Sequence, residues 1–351
     1  MERAASLAGL DALLVSAPAS VRYLSGFTGS NGWLLIGGGV RLLITDARYE
    51  QQAALEAREY TTVVASGALP TALEQHLPVG VGRIGFDPAS TSHAAWQKLT
   101  HESPLEWVDA EGLVTGIRSV KEAREIAAIR RALALAELVL SEVAGEIRPG
   151  MTELQVAARL EYECRTRGAT AMAFDTIVAA GARGALPHAR PGDTVLTNGD
   201  LLVVDFGCVV DGYCSDITRA VLVGDRLDAD WLAVHAAVDE ARAAAMSVIG
   251  PGVAASAVDR AARDVLARAG LAENFSHSLG HGVGIEVHEG PRLSRRSEDI
   301  LAAGMVVTVE PGVYLSGRGG VRLEDMVLVT DGGGERLNRL DTAILRPGRP
   351  V

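Results

Sequence analysis

Lysine is nearly missing from this chain. Only Lys98 and Lys121 occur in 351 residues, the other cationic side chains being arginines, so a Schiff-base mechanism has almost no candidate nucleophile. Cysteine is scarce too. Cys164, Cys208 and Cys214 form an odd, sparse set that suits a reducing cytoplasm, the expected location, and supplies no paired cysteines for a zinc finger. No G-x-S-x-G elbow supports serine catalysis, and no glycine-rich loop is present to cradle a phosphate. No apolar run is long enough to span a bilayer. The opening stretch, MERAASLAGLDALLVS, carries an early acid and no apolar core followed by a small-residue cleavage site, so a secretory leader is not expected. The formal charge of -11 repels nucleic acid and anionic membrane alike, and leaves a small molecule or a peptide as the expected ligand.

What remains is an ordinary folded composition, 48% hydrophobic and 22% charged, with room for two domains. Residues 11 to 115 alternate strand-like runs (ALLVS, WLLIG, VRLLIT, TTVVAS, RIGFD) with helical ones such as ARYEQQAALEA, which is the pattern of an α/β domain. From Lys121 to Ile147 the period becomes helical until Pro149-Gly150 stops it, so the domain boundary is expected just before this helix, dividing 1–116 from 117–351. Further helices are expected over 152–167, 228–248 and 254–268, with strands and glycine turns filling the rest.

Residues 203 to 220, VVDFGCVVDGYCSDITRA, read as a hairpin turning at Asp211-Gly212. Pairing outward from that turn sets Thr218 opposite Asp205 and Asp216 opposite Gly207. Alternation along the strands then puts Asp205 and Asp216 on one face as diagonal neighbours, and Cys208 and Cys214 on opposite faces, which argues against a disulfide. Two buried carboxylates repel unless one holds a proton or a cation lies between them.

Two more acids stand where a strand should bury valine: Glu310, at the end of MVVTVE before Pro311, and Glu324 in GGVRLEDMVLVT. Any one buried acid is commonly a structural hydrogen-bonding residue, but four in one domain call for another reason. His281 sits between Gly280 and Gly282, which free the backbone for close approach to a ligand, with His277 and His288 flanking it and His188 in the Leu-Pro-His of another loop. Four acids and a histidine make an oxygen-rich set suited to two divalent ions, with Mn, Co, Zn or Fe(II) favoured over a soft metal.

Taken together, DFGCVVDGYCSD, GHGVGIEVHEGP, VTVEPGVY and VRLEDMVLV resemble the pita-bread metallopeptidases, in particular the Xaa-Pro branch of prolidases and aminopeptidases P. The likeness covers 117 to about 345, and 11–115 resemble the creatinase/prolidase N-terminal domain. The resemblance implies an α/β N-terminal domain joined to an α+β pita-bread catalytic domain. It implies Asp205, Asp216, His281, Glu310 and Glu324 as ligands of two divalent ions (Mn, Co or Zn), with Glu310 also moving the proton. His288 would bond the scissile carbonyl, His188 would lie beside the leaving proline, and His277 and Arg322 would contact the substrate, Arg322 having a metal-bound aspartate as its alternative partner. Thr218 would hydrogen-bond a ligand. The implied reaction is hydrolysis of the Xaa-Pro bond of a dipeptide by a hydroxide held between the ions, with aminopeptidase P activity on longer peptides as the alternative. A non-catalytic binding protein or a creatinase-like enzyme fits less well because all five ligand positions are filled, and a methionine aminopeptidase because of the N-terminal domain. The family likeness also implies a homodimer, with residues 25 to 32 as the candidate contact.

Overall fold

The apolar runs of the first part become strands β1 (Ala12–Val15), β2 (Gly32–Gly37), β3 (Val40–Asp46), β4 (Thr61–Ala65), β5 (Arg83–Phe86) and β6 (Glu106–Asp109) in the computed structural model, which describes residues 9–101 and 104–347. The first eight residues, part of the stretch read for a leader, lie outside that description. The strands form one six-stranded sheet in the order β4-β3-β2-β1-β5-β6, antiparallel at β1/β2 and β2/β3 and parallel elsewhere. Alternation sends Ala12, Leu14, Leu35 and Ile44 into one core and Leu13, Val15, Leu34 and Leu43 into another. A sheet buried on both faces needs continuous apolar runs, and these strands have them. Helices α1 (Pro18–Ser25), α2 (Glu50–Glu56), α3 (Leu69–Gln75) and α4 (His93–Thr100) connect the strands. The 25 to 32 loop is tied down locally: Thr28 Oγ1 donates to Glu56 at 2.9 Å, Asn31 to Asp46 at 2.6 Å, and Ser30 lies 2.7 Å from the Tyr49 hydroxyl.

The chain divides into two compact units, Met1–Arg118 and Ser119–Val351, with α5 (Leu113–Ser119) running across the division. Four long helices of the second unit start and stop close to their sequence signals. They are α6 (Ala123–Glu146), α7 (Glu153–Thr166), α8 (Ala229–Val248) and α9 (Ala255–Arg268). Thr152 caps α7 by accepting the Gln155 N–H, and Asp228 caps α8 by accepting that of Asp230. Among the described residues no helix is long and apolar enough to cross a membrane.

Between the helices lie short strands β7 (Ala171–Met172), β8 (Ile177–Ala180), β9 (Leu201–Phe206), β10 (Cys208–Val210), β11 (Tyr213–Cys214) and β12 (Ile217–Leu222). After α9 come β13 (Gly280–Gly282), β14 (Glu289–Leu293), β15 (Val306–Val309), β16 (Gly312–Leu315), β17 (Gly319–Arg322), β18 (Asp325–Thr330) and β19 (Gly333–Arg336). The hairpin register is the one the sequence gives, with Val210 opposite Tyr213 and Thr218 opposite Asp205. It breaks at Gly207 into two sheets, β12-β9-β8 and β11-β10-β7. The five-stranded sheet β14-β13-β15-β18-β19 is packed on both faces: Val306, Met326 and Leu328 join a core with α6 and α7, while Val307, Val309, Val327 and Val329 join one with α8 and α9. Burying each such side chain contributes about 1.5–3 kcal/mol, so the strand ends are held firmly enough to carry costly polar groups. Cys164, Cys208 and Cys214 are free and buried.

Candidate active site

The five carboxylate and imidazole positions sit at strand ends of the second unit. Asp205 is the penultimate residue of β9, Asp216 precedes β12, His281 is the middle of β13, Glu310 follows β15 and Glu324 occupies the gap between β17 and β18. Ligand atoms of Asp216, His281 and Glu324 all lie within 4.8 Å of one another. Glu310 Oε1 is 3.5 Å and Asp216 Oδ2 3.7 Å from His281 Nε2. His281 Nδ1 lies 3.1 Å from the Gly282 carbonyl, so it donates there and leaves the Nε2 lone pair facing the acids.

The glycines flanking His281 are required by packing. A Cβ at Gly280 would meet Thr308 O at 2.1 Å and one at Gly282 would meet Gly290 O at 2.1 Å. Only glycine lets β13 lie that close to its neighbours.

Electrostatically the cluster is under strain by itself. Burial, reinforced by Glu324 and Asp205, raises the Asp216 carboxyl well above its ordinary value. Burial and then Glu324 do the same to Glu310, and burial with Asp205 pushes Glu324 up to about 8. His281 is pushed down to about 4, by burial first and also by His288, and is neutral at pH 7. Two buried oxygens, Asp205 Oδ1 and Glu324 Oε1, have no hydrogen-bond partner among the described residues. Their sister oxygens are engaged: Thr218 Oγ1 donates to Glu324 Oε2 at 2.8 Å, and Arg322 Nη2 to Asp205 Oδ2 at 2.5 Å. Orphaned carboxylate oxygens beside a bare imidazole nitrogen are donors that a hard or borderline divalent cation satisfies.

One cavity of about 1420 Å³ is lined by all of these acids and by His281, His288, His188, His277 and Arg322. His288 packs edge-on against His281 with ring centroids 4.3 Å apart, and burial with the nearby Arg292 charge lowers its pKa. His277 and Arg322 face inward into a chain of bonds. Arg322, 2% exposed, donates from Nε to Thr218 Oγ1 (3.2 Å), from Nη1 to the Tyr314 oxygen (2.7 Å) and to Pro187 O (3.2 Å), and from Nη2 to Asp205. The Tyr314 hydroxyl then donates to His277 Nε2 at 2.8 Å, whose Nδ1 donates to Ser278 O at 2.8 Å. Burial and the Arg322 charge hold His277 near 4, so it is neutral.

Two groups were not picked out from the sequence. Arg292 pairs across the strands with His281 and therefore shares its face, and it lines the cavity, as do Arg190, Arg295 and Arg296. Among the described residues none of these four guanidinium groups has a carboxylate partner within 4.0 Å. Beneath Glu324, Arg219 is fully buried and donates to the carbonyls of Glu324 (2.6 Å), Thr218 (2.9 Å) and Leu340 (2.9 Å) and to Asp325 (2.8 Å). Asp325 also accepts from Arg242 and Arg336, each at 2.6 Å.

A model of metallopeptidase family M24 matches residues 127–331, and one of the creatinase/prolidase N-terminal domain matches 2–120. An Xaa-Pro dipeptidase of Pyrococcus horikoshii is 34% identical over 339 residues, 96% of this chain and 95% of its own. The solved structure of an Xaa-Pro dipeptidase from Bacillus anthracis aligns with a TM-score of 0.92 at 35% identity, covering 98% of both chains. That of an X-Pro aminopeptidase from Thermotoga maritima aligns at 0.93 and 38%, again over 98% of both. The chain belongs to the metallopeptidase family M24, and its fold is the creatinase/prolidase N-terminal domain followed by the pita-bread domain of that family.

Proposed function

We propose that the protein is an Xaa-Pro dipeptidase whose site holds two divalent ions, Mn, Co or Zn, on Asp205, Asp216, His281, Glu310 and Glu324, within a functional domain spanning 117–351 that follows, along the chain, an N-terminal domain spanning 1–116. The observation that carries the reading is the pair of buried, partnerless oxygens on Asp205 and Glu324 within an acid cluster that faces the bare Nε2 of His281. When bound, such ions supply a polarised carbonyl and a water acidic enough to attack it at neutral pH. Glu310, against His281, takes the proton from the attacking water and delivers it to the proline nitrogen as the C–N bond breaks. His288, neutral at pH 7, donates an N–H to the carbonyl oxygen as negative charge develops there. His188, which lines the same cavity, borders the leaving ring.

The dipeptide ends in a carboxylate, and the residue that suits it is Arg292. Arg322 already serves Asp205, Thr218, Tyr314 and Pro187, and His277 serves Tyr314 and Ser278. Arg292 shares the face of His281 and, among the described residues, has no carboxylate within 4.0 Å of its guanidinium. A charge-assisted bond is roughly twice as strong as a neutral one, which favours a dipeptide over a peptide that continues as an amide. Aminopeptidase activity is the second reading, favoured by the likeness to the X-Pro aminopeptidase of T. maritima. The test compares proline release from Ala-Pro with alanine release from Ala-Pro-Ala, using metal-stripped protein as control. Higher kcat/KM on Ala-Pro, with Arg292→Met raising its KM by about 10-fold or more, is expected. Preference for the tripeptide moves the assignment to an aminopeptidase, and full activity without metal refutes the metal reading.

A further inference from the structure

Lys121 is the buried member of the chain's two lysines. Its side chain is 1% exposed and its ammonium lies 3.1 Å from Glu289 Oε2, with a further bond to Ser119 O at 3.3 Å. The Glu289 side chain is 6% exposed. An ion taken out of water costs several kcal/mol unless it is paired, so the contact between the two buried charges stabilises both.

The carboxylate's place in the chain gives the pair its meaning. Glu289 follows His288 directly, and the preceding turn is folded over the acid. Glu289 Oε1 accepts the Glu286 N–H at 3.1 Å, the Gly284 N–H donates to Glu286 O at 3.0 Å, and a Cβ on Gly284 would stand 2.6 Å from both carboxylate oxygens. The turn is thus wound round one carboxylate. The ammonium is equally fixed at its own end, because Lys121 N–H donates to Gly304 O at 2.8 Å and Val120 bridges to Met305.

We infer that Lys121 and Glu289 are positioning residues for His288: their buried ion pair fixes the 284 to 288 turn, and with it the place of the His288 imidazole beside the acid cluster. This rests on the reading of His288 as the donor to the carbonyl oxygen. A misplacement of about 1 Å in a reacting group costs on the order of 100-fold in rate, which sets the size of the effect.

Lys121→Met keeps the stem and removes the charge. Measured below its melting range, it is expected to lower kcat on Ala-Pro about 10- to 100-fold while KM and metal content stay within about 3-fold of the parent. In a His288→Ala background the same substitution is expected to cost less than about 3-fold, since the group it positions is gone. Amide hydrogen exchange over 284 to 288 is expected to speed up in Lys121→Met, a readout independent of substrate. Equal losses in both backgrounds, or unchanged exchange in the turn, overturn the inference. If Lys121→Met does not fold, Glu289→Gln carries the same expectations. A His288→Ala variant with parental turnover sinks the reading of His288 and the inference together, whereas an impaired His288→Ala with additive Lys121→Met sinks the inference alone.

Discussion

Replacing Arg322 by methionine distinguishes a residue that braces the acid cluster from one that grips substrate. Arg322 is 2% exposed and its guanidinium bonds Asp205 at 2.5 Å. With charge centres roughly 4 Å apart and an effective dielectric constant of about 20, the attraction is about 4 kcal/mol. That agrees with the ~3–5 kcal/mol lost when one partner of a buried pair is removed. Thr218 and Tyr314 keep their bonds to Glu324 and His277, so they add little to the loss. Asp216, Glu310 and Glu324 lose the cation that opposes their raised pKa values. For a unit of this size each kcal/mol is worth about 2–4 °C, so the metal-free variant is expected to melt about 6–20 °C below the metal-free parent. A divalent cation replaces the missing positive charge, and Mn²⁺ is therefore expected to raise the melting temperature more in Arg322→Met than in the parent. Scanning calorimetry in chelator and then in Mn²⁺, alongside Ala-Pro kinetics, reads both. An unchanged melting temperature with only KM raised would show that Arg322 grips substrate and that this reasoning is wrong.

Stability without metal is expected to fall between pH 6.5 and about 8. Glu324 is raised from its ordinary 4.5 to about 8, so the folded state holds a proton that the unfolded chain has already released, and stability is lost as pH climbs through the folded value. The window starts at 6.5 because His277 and His281, pushed down from 6.5 to about 4, contribute the opposite slope below it. A melting temperature that is flat or rising from pH 6.5 to 8 in chelator refutes this. His288→Ala is expected to lose about 10- to 1000-fold in kcat with metal retained, and His281→Ala to lose metal; metal analysis beside kinetics checks both, and metal loss in His288→Ala would make it a ligand. The working form is expected to be a homodimer with residues 25 to 32 at the partner, and a solution mass of one 36.7 kDa chain at assay concentration would exclude it.

The hairpin was legible because its evidence is local. A turn pair at 211 and 212 and strict alternation suffice to set Thr218 opposite Asp205. The helices after residue 120 were legible for the same reason, their caps and stops lying within a turn of the periodic residues. Arg292 was not, because its partnership with His281 depends on a cross-strand register that shifts between His281 and Gly282. Arg219 was hidden differently. In ITRAVL it reads as a polar residue on the outer face of a strand, and only the arrival of Asp325 and the carbonyls of 340 and 341 makes that face an interior. The inward turn of Arg322 was one of two alternatives that the sequence left open, and its bonds to Thr218 and Tyr314 come from segments that only the fold brings together.

The near absence of lysine has a practical side. Lys98 on α4 is exposed and Lys121 is buried against Glu289, so an amine-directed dye or activated bead meets a single accessible side-chain amine besides the chain's α-amine. Conjugation through that amine places the tether in the first unit and leaves every group lining the cavity of the second chemically untouched. Preparations coupled in this way are uniform at the side-chain level, an outcome that proteins with a lysine-rich surface reach only after their lysines have been replaced.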